Sequence, residues 1–421
     1  MKVAIIGGGF TGLAAAIELV DVGMKVVVYE AENRWGGLAG GFRPSGWSWS
    51  LEKYYHHVFA NDKAIIEMAK KVDWPVFLVN PKTETWKDGV TAELDSPLAL
   101  LRYRQLSLFG RMRMGIGLAI LKVAPLTTGI KFERYRVVEM LPRLVGKEGY
   151  KKIWKPLLMA KFGSKVDQVN MAWFWARIYK RTKRLGYFKG GFEKLAERMA
   201  EYVEKKGGET RLGVKINKIK GKKEMVSVDG EEFDKVILTV PAPSMERMVG
   251  AEVVRQPEIE YLWGQTLILE LNESLMPSYW LNILEQEWPF LVVVEQTRLI
   301  GKRHYGGKRV VYVGNYLEEG DRRLKMDEKQ LLELFWPFLR KINPDLRKSW
   351  VGRTWKFQSP FAQPVFPVNY SKEMPVMKTG MPGVYLANMS MVYPWDRGTN
   401  YAVELVVRVA REVLSIKDGL G

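Results

Sequence analysis

Apolar runs and turns alternate along the first thirty residues in a pattern that predicts a parallel βαβ unit. Lys2 to Ile6 is a short apolar run ending in Gly7-Gly8-Gly9, as a buried parallel strand reads. Thr11 to Val22 then carries apolar residues at helical spacing, and Gly23 ends it. Val26 to Tyr29 is a second buried strand, closing at Glu30. Residues 61 to about 188 read mainly as helix, with Leu106–Val123, Phe132–Leu141 and Lys147–Leu158 as its pieces. After Gly190-Gly191, the residues Phe192, Leu195, Ala196, Met199, Ala200 and Val203 share one helical face.

Strands are expected next at Val214–Ile219, Met225–Val228 and Val236–Val240, joined by turns at Gly221-Lys222 and Asp229-Gly230. More follow at Thr266–Leu271, Phe290–Val294 and Val310–Gly314, then a helix over Met326–Lys341, a strand at Val384–Ala387 and a closing helix over Tyr401–Leu414. Dinucleotide-type pieces thus fall at the start, middle and end. The expected fold is α/β: a discontinuous Rossmann-type domain from 1–60, 189–243 and 375–421. An α+β substrate domain from 61–188 and 244–374, a mixed sheet plus a helical basic insert, completes it.

Composition changes this picture in three places. At 421 residues, 47% hydrophobic and 27% charged, the chain has the length and balance of a soluble two-domain protein. It has no cysteine, which excludes disulfides, thiolate metal sites and cysteine nucleophiles. No signal peptide is recognisable, and the longest apolar stretch, Met114 to Leu126, contains Lys122 and is short of the about 20 residues a span needs. A cytoplasmic location is therefore expected.

The net charge of +18 is concentrated. Arg102 to Arg198 holds 23 Lys and Arg against 6 Asp and Glu. A solvated basic surface, an anionic membrane surface touched peripherally, or a phosphorylated substrate each accounts for it. No nucleic-acid-binding signature accompanies the charge, so nucleic acid is not an expected partner. Leu106 to Val123 interleaves apolar runs with Arg111, Arg113 and Lys122; it fits a membrane interface or a core helix with solvated arginines.

Gly7-Gly8-Gly9-Phe10-Thr11-Gly12 matches GxGxxG between a strand and a helix. Gly7 permits the tight turn, Gly9 lets backbone approach a pyrophosphate, and Gly12 allows close helix–strand packing. Phe10, Thr11 and their neighbours offer helix-start N–H groups to phosphate. Glu30 is placed to accept the hydroxyls of an adenosine ribose, which argues against a 2′-phosphate. Glu30-Ala31-Glu32-Asn33-Arg34-Trp35-Gly36-Gly37 then fits ExxxRxGG: a second glycine pair, running on to Leu38, follows the rest of an extended cofactor, and Arg34 can neutralise the diphosphate.

With these two motifs the chain resembles the flavin amine-oxidase superfamily, which includes protoporphyrinogen oxidases and carotenoid desaturases. The resemblance implies FAD as cofactor and an oxidoreductase moving a hydride from an organic, largely apolar or amine substrate to flavin N5. It implies a backbone contact to adenine from Val214 and a C-terminal element near the flavin. That element matches Gly383 to Asn388 and Trp395-Asp396-Arg397-Gly398-Thr399-Asn400, so Asn388, Gly398 and Asn400 join the cofactor set. Ala387-Asn388 replaces the family's Gly-Asp pair, putting a neutral amide at the ribityl or phosphate region. Gly190-Gly191-Phe192 resembles a loop near the flavin in relatives. The alternative is a flavin-dependent sugar-nucleotide isomerase like UDP-galactopyranose mutase, which shares the N-terminal motifs.

For chemistry the candidates are His56 and His57, two of three histidines in the chain, and Lys356, matching the lysine many relatives place by N5. The pair can orient a substrate or move a proton, or it can be structural. A metal is not expected: adjacent side chains on an extended segment face opposite ways and no third ligand is evident.

Overall fold

The computed structural model describes residues 1–222, 224–254, 257, 259–395 and 398–414. A five-stranded parallel sheet runs in the order Glu209–Arg211, Lys25–Tyr29, Lys2–Ile6, Lys235–Leu238, Val384–Leu386. Its central strands are continuous apolar runs because both faces are covered. On one side Phe10–Asp21 packs between Phe192–Lys205 and Thr399–Leu414. A three-stranded meander, Ile219–Gly221, Val226–Val228 and Glu231–Phe233, packs against the sheet through Phe233, whose ring meets Tyr29 edge-on.

The second half is built on a seven-stranded mixed sheet: Val351–Pro364, Tyr261–Leu271, Arg309–Leu317, Val292–Glu295, Trp280–Ile283, Thr83–Lys87 and Val90–Glu93. Strand alternation divides its faces. Leu267, Leu269 and Leu271 join Leu331, Phe335 and Leu339 of the helix Glu328–Ile342, while Ile268 packs with the core of the parallel sheet. Between Pro97–Arg102 and Met171–Lys180 lies the helical insert, with its own core around Met114, Leu141, Phe162 and Trp175. The α/β class with a Rossmann-type sheet and helical insert is the one the sequence led us to expect.

Several elements depart from expectation. The strand at Val214–Ile219 does not form; Glu209–Arg211 pairs with Lys25–Tyr29 instead, and only Ile219 enters a strand. That three-residue edge strand is polar and exposed or half-buried, so it carries no apolar signature. The stretch from 61 opens with the helix Lys63–Lys71 but then turns to strand at Val76–Val79, Thr83–Lys87 and Val90–Glu93. Phe132–Leu141 is broken: Arg136 is extended and bridges to Asn170, and the helix proper is Val137–Val145. The 14-residue edge strand Val351–Pro364 had no sequence signal, being rich in polar residues and broken by Pro360.

Candidate functional site

Two glycine loops close on each other at the carboxyl ends of the parallel strands. Gly36 N–H donates to the Gly8 carbonyl at 2.9 Å, and Gly9 and Gly36 form an isolated parallel bridge. The Glu30 carboxylate ties both loops down, accepting from Gly8 N–H at 2.7 Å and Glu32 N–H at 2.8 Å. Gly12 is fixed by packing: a Cβ there would lie 1.9 Å from the Gly7 carbonyl oxygen. Gly9 is different, since its Cβ would meet only the Gly37 Cα, at 3.9 Å. The helix Phe10–Asp21 starts there with Gly9 as cap, no side-chain hydrogen bond and no acidic residue in its first turn. Its first N–H groups are therefore offered to an anion.

These loops form one end of a cavity of about 650 Å³. Gly7, Gly9, Phe10, Thr11, Glu30, Gly36, Gly37 and Leu38 line it, and from the C-terminal element so do Asn388, Gly398 and Asn400. Asn388 is buried, its Oδ1 accepting from the Ser390 hydroxyl at 2.6 Å and the Ser390 N–H at 3.2 Å. The Asn400 side chain is committed elsewhere, accepting from Ile65 N–H at 3.2 Å and donating to Glu404 at 2.8 Å. Asp396 and Arg397 lie outside the described residues.

Five sequence candidates do not line the cavity. Gly12 sits behind the loop, as its packing requires. Ala31 is exposed beside Glu30. Arg34 donates to the Gly41 carbonyl at 2.6 Å and pairs with Glu193 at 3.3 Å, so its head is held by the chain itself. Val214 donates its N–H to the Glu30 carbonyl at 2.9 Å, so that N–H is already taken.

Lys356 is a correction. Its ammonium donates to the carbonyls of Leu324 at 2.8 Å and Met326 at 2.6 Å, on the helix side of the mixed sheet. Trp355 and Phe357 take the opposite face and pack on Phe42. Alternation along the strand decides this, and the strand itself was not expected.

His56 and His57 both line the cavity. His56 Nδ1 lies 2.6 Å from the Tyr54 carbonyl, and its ring packs against Phe192. His57 Nδ1 lies 3.2 Å from the Tyr279 hydroxyl, between the rings of Phe59 and Trp280. Burial, with the charges of Arg181, His56 and Arg177, pushes His57 down to about 3, so it is neutral near pH 7. Behind this pair, Glu52 is fully buried, accepting from the Tyr187 hydroxyl at 2.6 Å and Phe192 N–H at 2.7 Å. Burial above all raises its carboxyl to about 7.

The far end of the cavity is aromatic, with amide and basic groups among the rings. Trp154, Trp173, Phe174, Trp280 and Phe361 line it, with the amides Gln265, Asn282 and Asn315 and the bases Lys161, Arg177 and Arg181. Gln265 and Asn315 are cross-strand partners, both buried. Their one sequence signal was an amide inside an otherwise apolar strand. Glycine loops at one end and aromatic walls at the other make a cavity with room for an anionic group at the first and an apolar body at the second.

Comparison with known proteins agrees with this geometry. Residues 10–414 match the model of the family described as flavin containing amine oxidoreductase. A zeta-carotene desaturase of Zea mays is 34% identical over 133 residues, which are 28% of this chain. That match spans 23% of the desaturase's length. An oxidoreductase from Methanosarcina mazei superposes with a TM-score of 0.75 at 18% identity, covering 97% of this chain and 99% of its own. Reduced UDP-galactopyranose mutase superposes with a TM-score of 0.74 at 15% identity, covering 99% and 96%. At these identities the two structures speak for the fold alone.

Proposed function

The chain belongs to the flavin containing amine oxidoreductase family, and on that premise we propose that it is an FAD-dependent dehydrogenase or oxidase of an organic, largely apolar or amine substrate. The observation that carries this reading is one cavity shared by the paired glycine loops, Glu30, the His56-His57 segment and the aromatic far wall. The residues present fit FAD: Gly9 leaves open the space a Cβ would take, and the uncapped start of Phe10–Asp21 faces the cavity. When bound, FAD supplies the hydride acceptor at N5.

The chain's own part is to bind, orient and exclude water. Gly7, Gly9, Phe10 and Thr11 receive the diphosphate, and Glu30 the adenosine ribose. Trp154, Trp173 and Trp280 hold an apolar body, and neutral His57 offers one hydrogen-bonding nitrogen beyond its Tyr279 partner. With FAD bound, the substrate would lose a hydride to it and a proton to solvent. Anaerobic addition of candidate substrates to the FAD-loaded protein tests this: bleaching of the flavin supports it. A sugar-nucleotide isomerase would instead bind a UDP-sugar to the reduced protein without net bleaching.

A membrane surface is the second part of the reading. Among the described residues no single helix is long and apolar enough to cross a bilayer; the bent pair Leu108–Val123 and Leu126–Arg134 passes only jointly. Leu108, Phe109, Met112, Ile116, Ile120 and Val123 are exposed along one face of Leu108–Val123. Its arginines are not the solvated face. Arg111 donates to the Leu101 and Leu106 carbonyls, and Arg113 to the Arg143 carbonyl. The helix reaches the core through Gly110, Met114, Gly117 and Leu121, leaving apolar side chains outward in a strongly basic segment. Peripheral contact with an anionic membrane fits both properties. Lys122 joins that helix to the cavity wall, donating to the carbonyls of Tyr179 and Arg181 at 2.8 and 2.7 Å.

A further inference from the structure

The far end of the cavity carries cationic and indole donors, beside one unpartnered acceptor, the Gln265 amide oxygen. Lys161, Arg177 and Arg181 line it from one side of the helical insert. Lys161 lies over the Tyr316 ring at 4.4 Å, and the Arg177 guanidinium over the Trp173 ring at 4.9 Å. The indole N–H groups of Trp154 and Trp173 are buried with no acceptor among the described residues. Arg181 follows directly on the helix Met171–Lys180, in extended conformation, and is an exposed residue that lines the cavity. Among the described residues no hydrogen bond or ion pair holds its guanidinium. Asp95, the acid whose charge acts on it, is already paired with Lys183 at 3.2 Å.

The acids that line the same cavity are committed. Glu30 holds the glycine loops; Asp62 accepts from Phe59 N–H at 2.8 Å; Glu84 pairs with Lys82 at 2.7 Å. A guanidinium at a cavity wall without a counter-charge leaves a charge-assisted interaction unmade, and a buried N–H without an acceptor is costly. An oxyanion brought by a ligand supplies the acceptor. Guanidinium is the group best shaped for one, since its fork matches a carboxylate or phosphate edge. Surrounding aromatic rings then require an apolar body behind the charged head.

We propose that this cavity takes an anionic amphiphile, with a carboxylate or phosphate of the substrate docked on Arg181 and its apolar body against Trp154 and Trp173. This rests on the reading of the other end as the flavin site and specifies the substrate class for it. The head group is what Arg181 recognises; the carbon chain is what reaches toward the cofactor end.

The test is calorimetric titration of the FAD-loaded protein with decanoate, decyl phosphate, decanol and decylammonium, at high salt to screen the basic surface. Loading is checked separately by flavin absorbance, so a failure of the flavin reading is seen before any probe is added. The expected result is that one or both anions bind at least about tenfold tighter than decanol, and that decylammonium does not bind. Arg181→Gln should erase that preference while leaving decanol affinity and flavin content unchanged; Arg181→Lys should restore part of it. Arg184→Gln, on an exposed neighbour, should change nothing. The comparison of decanoate with decyl phosphate separates the two head groups. Equal affinity for anion and alcohol, a preference that survives Arg181→Gln, or loss of flavin in that variant would each overturn the proposal.

Discussion

Glu30 Oε2 accepts a hydrogen bond from Gly8 N–H at 2.7 Å, so the residue that ends the second strand also holds the glycine loop after the first. Its other oxygen takes the Glu32 N–H. One carboxylate thus joins the two glycine loops. Glu30→Gln removes the charge from these contacts and from the ribose contact proposed for it. Hydrogen bonds to charged groups contribute about 1.5–3 kcal/mol, so FAD affinity should fall roughly 10- to 100-fold. Riboflavin, which lacks the adenosine, should bind no differently, as equilibrium dialysis of the two ligands will show.

The two central glycines of the first loop should fail in different ways. Gly12→Ala drives a methyl into the Gly7 carbonyl oxygen. That overpacking costs about 1–3 kcal/mol or more, lowering the melting temperature with or without flavin. Gly9→Ala meets no protein atom closer than 3.9 Å, so the folded apoprotein should keep its stability. The new methyl stands where the pyrophosphate approaches, and FAD affinity should drop at least about tenfold, or ~1.4 kcal/mol. Thermal melts and flavin titrations on both variants separate packing from binding.

Glu52 gives the fold a pH dependence of defined sign. Its carboxyl is raised to about 7, chiefly by burial, with the charge of Glu193 adding and the bonds from Tyr187 and Phe192 opposing. An unfolded glutamate ionises near 4.5. Below that pH both states are protonated and its contribution is complete. Between about 4.5 and 7 only the unfolded state ionises, so stability falls as pH rises through this window. The loss is on the order of 3 kcal/mol. Urea melts across that range should show the decline in the wild type and a flatter profile in Glu52→Gln, which keeps an acceptor for Phe192.

The exposed face of Leu108–Val123 should bind anionic bilayers. Wild-type protein should co-sediment with phosphatidylserine-containing vesicles and release at high salt more readily than a purely apolar contact would. Phe109→Glu with Ile116→Glu should abolish sedimentation with no loss of stability, because both side chains are already exposed. Sedimentation of the double variant equal to the wild type would remove this surface from the reading.

How much of this was legible depends on where each constraint is written. The glycine loops were readable because their constraint is backbone geometry: Gly7 adopts φ +113° and Gly12 has no room for a side chain. Glu30 followed from its place at the end of an apolar strand. Helix faces were equally plain, and Phe192, Leu195, Ala196, Met199, Ala200 and Val203 are all buried. Lys356 was misplaced because its direction depends on alternation in a strand whose polar sequence hid it. Arg177 and Arg181 were lost in a run of positive charge, since sequence does not say which of 23 cations turns inward. Arg34 shows the converse: a motif residue whose head the fold engages, through Gly41 and Glu193.

The most direct test of the central claim is flavin retention. Purified protein incubated with excess FAD and passed over a desalting column should keep close to one flavin per chain, and Gly9→Ala and Glu30→Gln should keep progressively less as free FAD is diluted. Elution of all the flavin with the small molecules, at a protein concentration where the chain is folded, would contradict it.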